Sequence, residues 1–406
     1  MCFQKQHMIN PSANGWIDKF FLEQKTFFEA KNGDPELFYL NTRKTGFIYG
    51  HIVSFDTIDP INKENWLQDE VSKVALLTSL SKVFCLIDTN ANKDRFIKKT
   101  VAFYDKMNPK GFNLFKKMLP EDSDSINLEK IIDNRVQTNI DIISKNFSNN
   151  VTNALLFIDV MAFQHYLYFD EIPEKYLKKM EETVTSVISL ALKTKTTKTK
   201  HDDLLLKLFE SSVRYSKFSN VEVKNLEDLK LDTFSNDLEK YYFIDLAGMA
   251  LWSDGVIEKS EAFFLHKLAG LMSISDAFVN DSICDTNDFI LKYKKEIPYF
   301  NYSNPVKHFY DQTTQNVEVL ITRNKKRLYK ELSESKELML LLAKSTQRDL
   351  DEKEKKKVKK QLLDICKTVP SLTVFLLPGG SLLLPILIKF IPKLLPSAFN
   401  ENLENE

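Results

Sequence analysis

Apolar residues recur at helical spacing along much of the chain. Trp16, Ile17, Phe20, Phe21, Phe27 and Phe28 follow an Asn-Pro-Ser-Ala-Asn-Gly turn, and the pattern predicts an opening helix over 15–29. Trp66, Leu67, Val71, Val74, Ala75, Leu77, Leu80 and Phe84 predict a long amphipathic helix over 64–87. The same periodicity marks 96–107, 128–143, 150–168 and 176–192, which gives an N-terminal bundle of five or six helices. The stretch Phe47 to Val53 is aromatic and β-branched, and it fits either a short strand or a buried helical turn.

The pattern is interrupted at the Lys-Thr run 193–200, which reads as a solvated loop. A second helical hairpin occupies about 237–285, and Asn301 to Pro305 reads as a turn. From Val306 onward long charged helices give way to apolar sequence dense in proline. The expected organisation is all-α: a helical domain over 1–220, a helical region over 235–300 and a C-terminal domain over 306–406.

That last domain contains the most distinctive segment. No charged residue occurs between Lys367 and Lys389, and these 21 residues would cover roughly 30 Å as a helix, about one hydrocarbon core. Pro378, Gly379 and Gly380 interrupt it, because proline removes a backbone donor and glycine weakens the helix. Three placements fit the residue types over 368–388: a bilayer span, a kinked pair inside a soluble core, or a re-entrant hairpin. Just upstream, Arg323 to Lys367 carries 15 Lys or Arg against 8 Asp or Glu, net +7. Such charge would hold that side in the cytoplasm and attract anionic lipid, or simply form a solvated face.

Composition narrows the function classes. The 56 basic and 56 acidic side chains cancel, so no global field points to DNA or to an acidic substrate. Ten glycines in 406 residues disfavour glycine-rich nucleotide loops, and no G-x-S-x-G, P-loop or dinucleotide fingerprint occurs. The six histidines form no H-E-x-x-H pair, and the four cysteines lie far apart without C-x-x-C, so a non-enzymatic protein in a reducing compartment is expected. The string Asp88 to Asp94 begins like a calcium loop, but Lys93 takes the glycine position and Lys99 that of the final glutamate; it reads as a helix-connecting turn. Met1 to Trp16 lacks the charged start and apolar stretch of a secretory signal.

Two resemblances add to this reading. Val369-Pro370, Pro378, Leu382-Leu383-Leu384-Pro385, Lys389-Phe390-Ile391-Pro392 and Leu395-Pro396-Ser397-Ala398-Phe399, preceded by basic helices, are similar in order and spacing to the membrane block of the leucine-zipper and EF-hand containing transmembrane (LETM) family. The resemblance covers about a fifth of the chain. It implies association with membrane lipid, cation/proton homeostasis and ribosome binding, with Pro378, Gly379, Gly380, Pro385, Lys389 and Pro392 as the membrane-block residues. Ser381 stands where the family carries an acidic residue, so an ion-coupling carboxylate is missing, and the chain ends at Glu406 soon after the block. The overall layout resembles bacterial LETM-related biofilm-associated proteins, which suggests the cytoplasmic side of the inner membrane or, for a soluble helical scaffold, the cytoplasm.

Asp245 to Glu261 resembles the helix-turn-helix core of tellurite-resistance TerB-like domains, with Ser253 in place of an alanine. Gly255 suits a left-handed turn, Asp254 can cap, and Glu258 and Glu261 sit where a helix N-terminus favours anions. The resemblance implies a second role for Asp254, Glu258 and Glu261 as oxygen ligands for a divalent cation; otherwise no cofactor is implied.

Overall fold

A computed structural model describes residues 9–29, 33–107, 123–136, 151–172, 175–195, 202, 205–206, 209, 213, 223–252, 257–297, 305–369, 372, 387–388 and 390–391. Its described residues form α-helices and no strand, as the periodicity predicts. They fall into two compact units, one made of 1–63, 68–138 and 147–303, the other of 64–67, 139–146 and 304–406.

The first unit contains α1 (Trp16–Glu23), α2 (Pro35–Lys44), α3 (Gln68–Ile87), α4 (Lys93–Met107), α5 (Asp124–Val136), α6 (Phe157–Phe169), α7 (Tyr176–Thr194), α8 (Asp237–Leu251), α9 (Lys259–Leu271) and α10 (Asp276–Tyr293). Two of these helices organise the rest. α3 packs against α6 and α5, and α8 packs against α7, α10, α9 and α2. The N-terminal helices and the hairpin region are therefore parts of one compact unit, because α8 buries itself against α2 and α7.

The amphipathic expectation for α3 is corrected. The helix starts at Gln68 and is buried on nearly every side, including Ser72, Thr78, Ser79 and Ser81. Such polar residues fit an interior helix because their hydroxyls bond back to the preceding turn: Ser72 to the Gln68 carbonyl at 2.8 Å, Thr78 to Val74 at 2.7 Å and Ser81 to Leu77 at 2.7 Å. Lys73 is buried too and pairs with Asp133.

Of the two readings for Phe47 to Val53, the strand is absent and a buried turn is present: the Tyr49 amide donates to the Gly46 carbonyl at 3.1 Å and the Gly50 amide to the Phe47 carbonyl at 3.0 Å. Gly46 has φ +80° and Gly50 φ +74°, and residues 51–53 have no regular structure. A Cβ on Gly46 would collide with the His51 carbonyl and lie 2.6 Å from the Phe289 ring, so space and dihedral both require glycine. Asp88 accepts the Asn90 amide at 2.8 Å and Arg95 at 2.6 Å, which makes its string the turn between α3 and α4. The phenylalanines serve the core: Phe20, Phe21, Phe84 and Phe96 pack edge to face at centroid separations of 5.0–5.8 Å.

The second unit contains α11 (Pro305–Arg323), α12 (Lys325–Ser333), α13 (Lys336–Gln347) and α14 (Glu352–Thr368). Its core joins Val317, Leu320 and Ile321 of α11 to Leu328 and Leu332, to Leu338 and Leu342, and to Val358, Leu362 and Ile365 of α14. Val369, Leu372, Leu387 and Ile391 are buried in the same core.

Candidate functional site

The terminal unit concentrates the residues that sequence singles out. α14 is started by a reciprocal cap: the Asp351 carboxylate accepts the amides of Lys353 and Glu354, both at 2.8 Å, and Glu354 accepts the Asp351 amide at 3.0 Å. Arg348 then grips Glu354 with two bonds of 2.8 and 2.7 Å, and its guanidinium holds the Glu354 carboxyl down at about 2.

Beyond that start, Val358, Leu362, Ile365 and Val369 recur at four, three and four residues and face the core. Lys353, Lys356 and Lys360, at intervals of three and four, occupy the opposite side and are exposed. Three other lysines of α14 are paired: Lys355 with Glu352 at 3.0 Å, Lys357 with Glu337 at 2.6 Å and Lys367 with Asp364 at 2.7 Å. Among the described residues, Lys353, Lys356, Lys359 and Lys360 make no close ion pair, although Asp364 is near enough to Lys360 for the charges to attract. A row of ammonium groups outside close ion pairs on one helix suits contact with a polyanion.

Pro378, Gly379, Gly380, Pro385, Lys389 and Pro392 lie outside the described residues, as does most of the apolar segment 368–388. Among the described residues no helix is long and apolar enough to cross a membrane. The described apolar residues on either side of the unplaced stretch, Leu372 and Leu387, are core residues of the basic unit.

At the TerB-like turn, Asp254 also lies outside the described residues. Glu258 is the N-cap of α9, and Glu261, nearly fully buried, accepts the Glu258 amide at 2.7 Å. The two carboxylates are thus engaged at the helix start, where the dipole favours them. Among the described residues no group of three His, Cys, Asp or Glu could hold a metal ion.

The most elaborate polar arrangement was not singled out from sequence. Asp245 of α8 is fully buried and accepts from Tyr39 at 2.7 Å, Ser282 at 2.5 Å and Arg43 at 3.3 Å. Arg43 reaches Asp285 with its other nitrogen at 2.6 Å. Burial pushes the Asp245 pKa up against the pull of Arg43, Ser282 and Tyr39. This network ties α2, α8 and α10 together. Its only sequence signal is an aspartate inside the apolar and aromatic run from Tyr241 to Leu251. A second buried carboxylate, Asp159, accepts from Arg135 at 2.7 Å and from Tyr104 at 3.0 Å.

No curated protein and no solved structure matches the chain. Residues 350–406, which begin just before α14, match the family model described as LETM1-like, RBD. By this segment, the C-terminal end of the chain is similar to LETM-related proteins.

Proposed function

We propose that the C-terminal unit is a ribosome-docking module, and that the first unit is a helical scaffold carried with it. The observation that carries the reading is the stripe of Lys353, Lys356 and Lys360 on α14, outside close ion pairs among the described residues and inside the segment matching the LETM1-like RBD model. Ribosomal RNA presents a dense row of phosphates, and neutralising them releases counterions, so binding of this kind weakens steeply as salt rises. Burial of Val369, Leu372, Leu387 and Ile391 in one core supports a folded docking unit.

The test is co-sedimentation of the full chain with purified ribosomes through a sucrose cushion over a series of KCl concentrations. The triple variant K353E/K356E/K360E should stay in the supernatant where the parent pellets. Equal pelleting of the two, or none by the parent, would overturn the reading.

A second reading is attachment to a membrane from the cytoplasmic side, favoured by the uncharged 21-residue stretch after Lys367. Carbonate washing of membranes tests it: the full chain should remain and a truncation after Lys367 should be released. Cation/proton exchange would need an ionisable group in that stretch, and Ser381 stands where the family carries its acid.

A further inference from the structure

The first unit contains an open groove of about 770 Å³, within the size range of small-molecule sites. It lies where the C-terminal end of α6, the start of α7 and the N-terminal ends of α2 and α8 meet. Asn236, which caps α8, donates to the Gln164 side chain of α6 at 2.5 Å, and Tyr176 of α7 donates to Glu239 of α8 at 2.5 Å. The walls are therefore held by bonds between helices.

Aromatic rings dominate the lining. His165 stacks on Tyr176 with centroids 5.5 Å apart and packs against Phe169 at 4.6 Å. Tyr168 and Phe169 are 57% and 63% exposed, and for Phe169 no polar group accounts for facing water. Burial lowers the His165 pKa, so its imidazole is neutral at pH 7 and adds no positive charge.

Carboxylates supply the rest. Asp34, Glu36, Asp237 and Glu239 line the groove against two ammonium groups, Lys175 and Lys179; Asp237, at the exposed rim, also pairs with Lys240 at 3.2 Å, and Glu239 is taken up by Tyr176. Glu36 is exposed and has no cationic partner among the described residues. The pKa of Tyr241, also in the lining, is raised by burial and then by the nearby carboxylates Glu36, Asp237 and Asp34. One ring of the wall already faces an ammonium: Lys179 Nζ lies 5.8 Å from the Phe234 centroid.

We propose that this groove binds a small organic cation, an ammonium group on an apolar body, with the rings enclosing the body and Glu36 and Asp237 facing the charge. Exposed aromatic faces and a surplus of carboxylates are complementary to such a ligand and repel an anion of the same shape. The site is independent of the basic face of the terminal unit.

The experiment is isothermal titration of the full chain with phenethylammonium and, as the anion of matching shape, phenylpropionate. The amine should bind and the carboxylate should not. Tyr168→Ala and the pair Glu36→Gln/Asp237→Asn should each weaken the amine by about fivefold or more. All three positions are exposed, so an unchanged melting temperature is expected and checks that the variants fold. Equal binding of the carboxylate, undiminished amine binding in both variants, or no amine binding by the parent would overturn the proposal.

Discussion

Replacing Asp245 with asparagine removes a charge at almost constant shape from the centre of the first unit. Tyr39, Arg43 and Ser282 all donate to that carboxylate. A hydrogen bond to a charged acceptor is worth about 1.5–3 kcal/mol and a neutral one about 0.5–1.5, so a donor left on the amide oxygen loses about 1 kcal/mol and one left facing the amide NH2 loses its acceptor. Desolvation of the carboxylate, which pushes its pKa up, offsets part of this, and the expected loss is roughly 2–3 kcal/mol. For a unit of this size that is a fall of roughly 4–12 °C in melting temperature. Near-UV circular dichroism is the suitable probe, because Tyr39 and Tyr241 lie 5.4 Å apart at centroids and Tyr241 stacks on Phe278 at 4.0 Å beside the network. Asp285→Asn is the control. It removes a shorter bond to the same Arg43, but the Asp285 side chain is 44% exposed and water takes its place, so the loss should be about 0–1 kcal/mol. A shift below about 2 °C for Asp245→Asn, or an equal shift for both variants, would refute the reasoning.

The remaining predictions concern other sites. Glu354 has its folded pKa depressed from 4.5 to about 2, so its support for α14 is fully present above 4.5 and is lost as pH falls through about 2. A carboxyl NMR titration should place its midpoint near 2 and return it toward 4.5 in Arg348→Ala; an unshifted midpoint in the parent would sink the idea. Burial pushes the Cys366 thiol up to about 12 and the Cys85 thiol up to about 11, whereas Cys284 is exposed. Site-resolved alkylation of native protein at pH 8 should modify Cys284 long before the other two, and equal rates would contradict the burial. Gly46→Ala should cost about 2–4 kcal/mol through dihedral strain and collision, while Gly270→Ala, in open space within α9, should stabilise by about 0.5–1 kcal/mol. Urea denaturation distinguishes the two, and a neutral Gly46→Ala would show that the turn can relax.

Periodicity sufficed for the helices because most bury one face, as in α4, where Phe96, Ile97, Thr100, Phe103 and Tyr104 are buried. It misread α3 because serine and threonine look polar in sequence yet satisfy themselves against their own backbone. At Phe47 to Val53 the side chains fitted a strand or a buried turn, and two glycines with positive φ set the turn. The placing of Glu258 and Glu261 at a helix start was readable from the turn before them, whereas the cap assigned to Asp254 is made by Glu258 and Glu261, three residues apart. Asp245 was not, since Arg43 is 202 residues away and only the packed fold brings them together. The groove was hidden for the same reason: its lining comes from four separate stretches between Asp34 and Tyr241.

The core position of Leu372, Leu387 and Ile391 changes the energetics of any encounter with lipid. These side chains are already out of water, so moving them into a bilayer would exchange one apolar medium for another and release almost no hydration free energy. The same step would forfeit their dispersion contacts and expose the rest of the core they leave. Lipid would therefore have to compete with a filled interior, and electrostatic attraction of the lysine face would have to tip the balance.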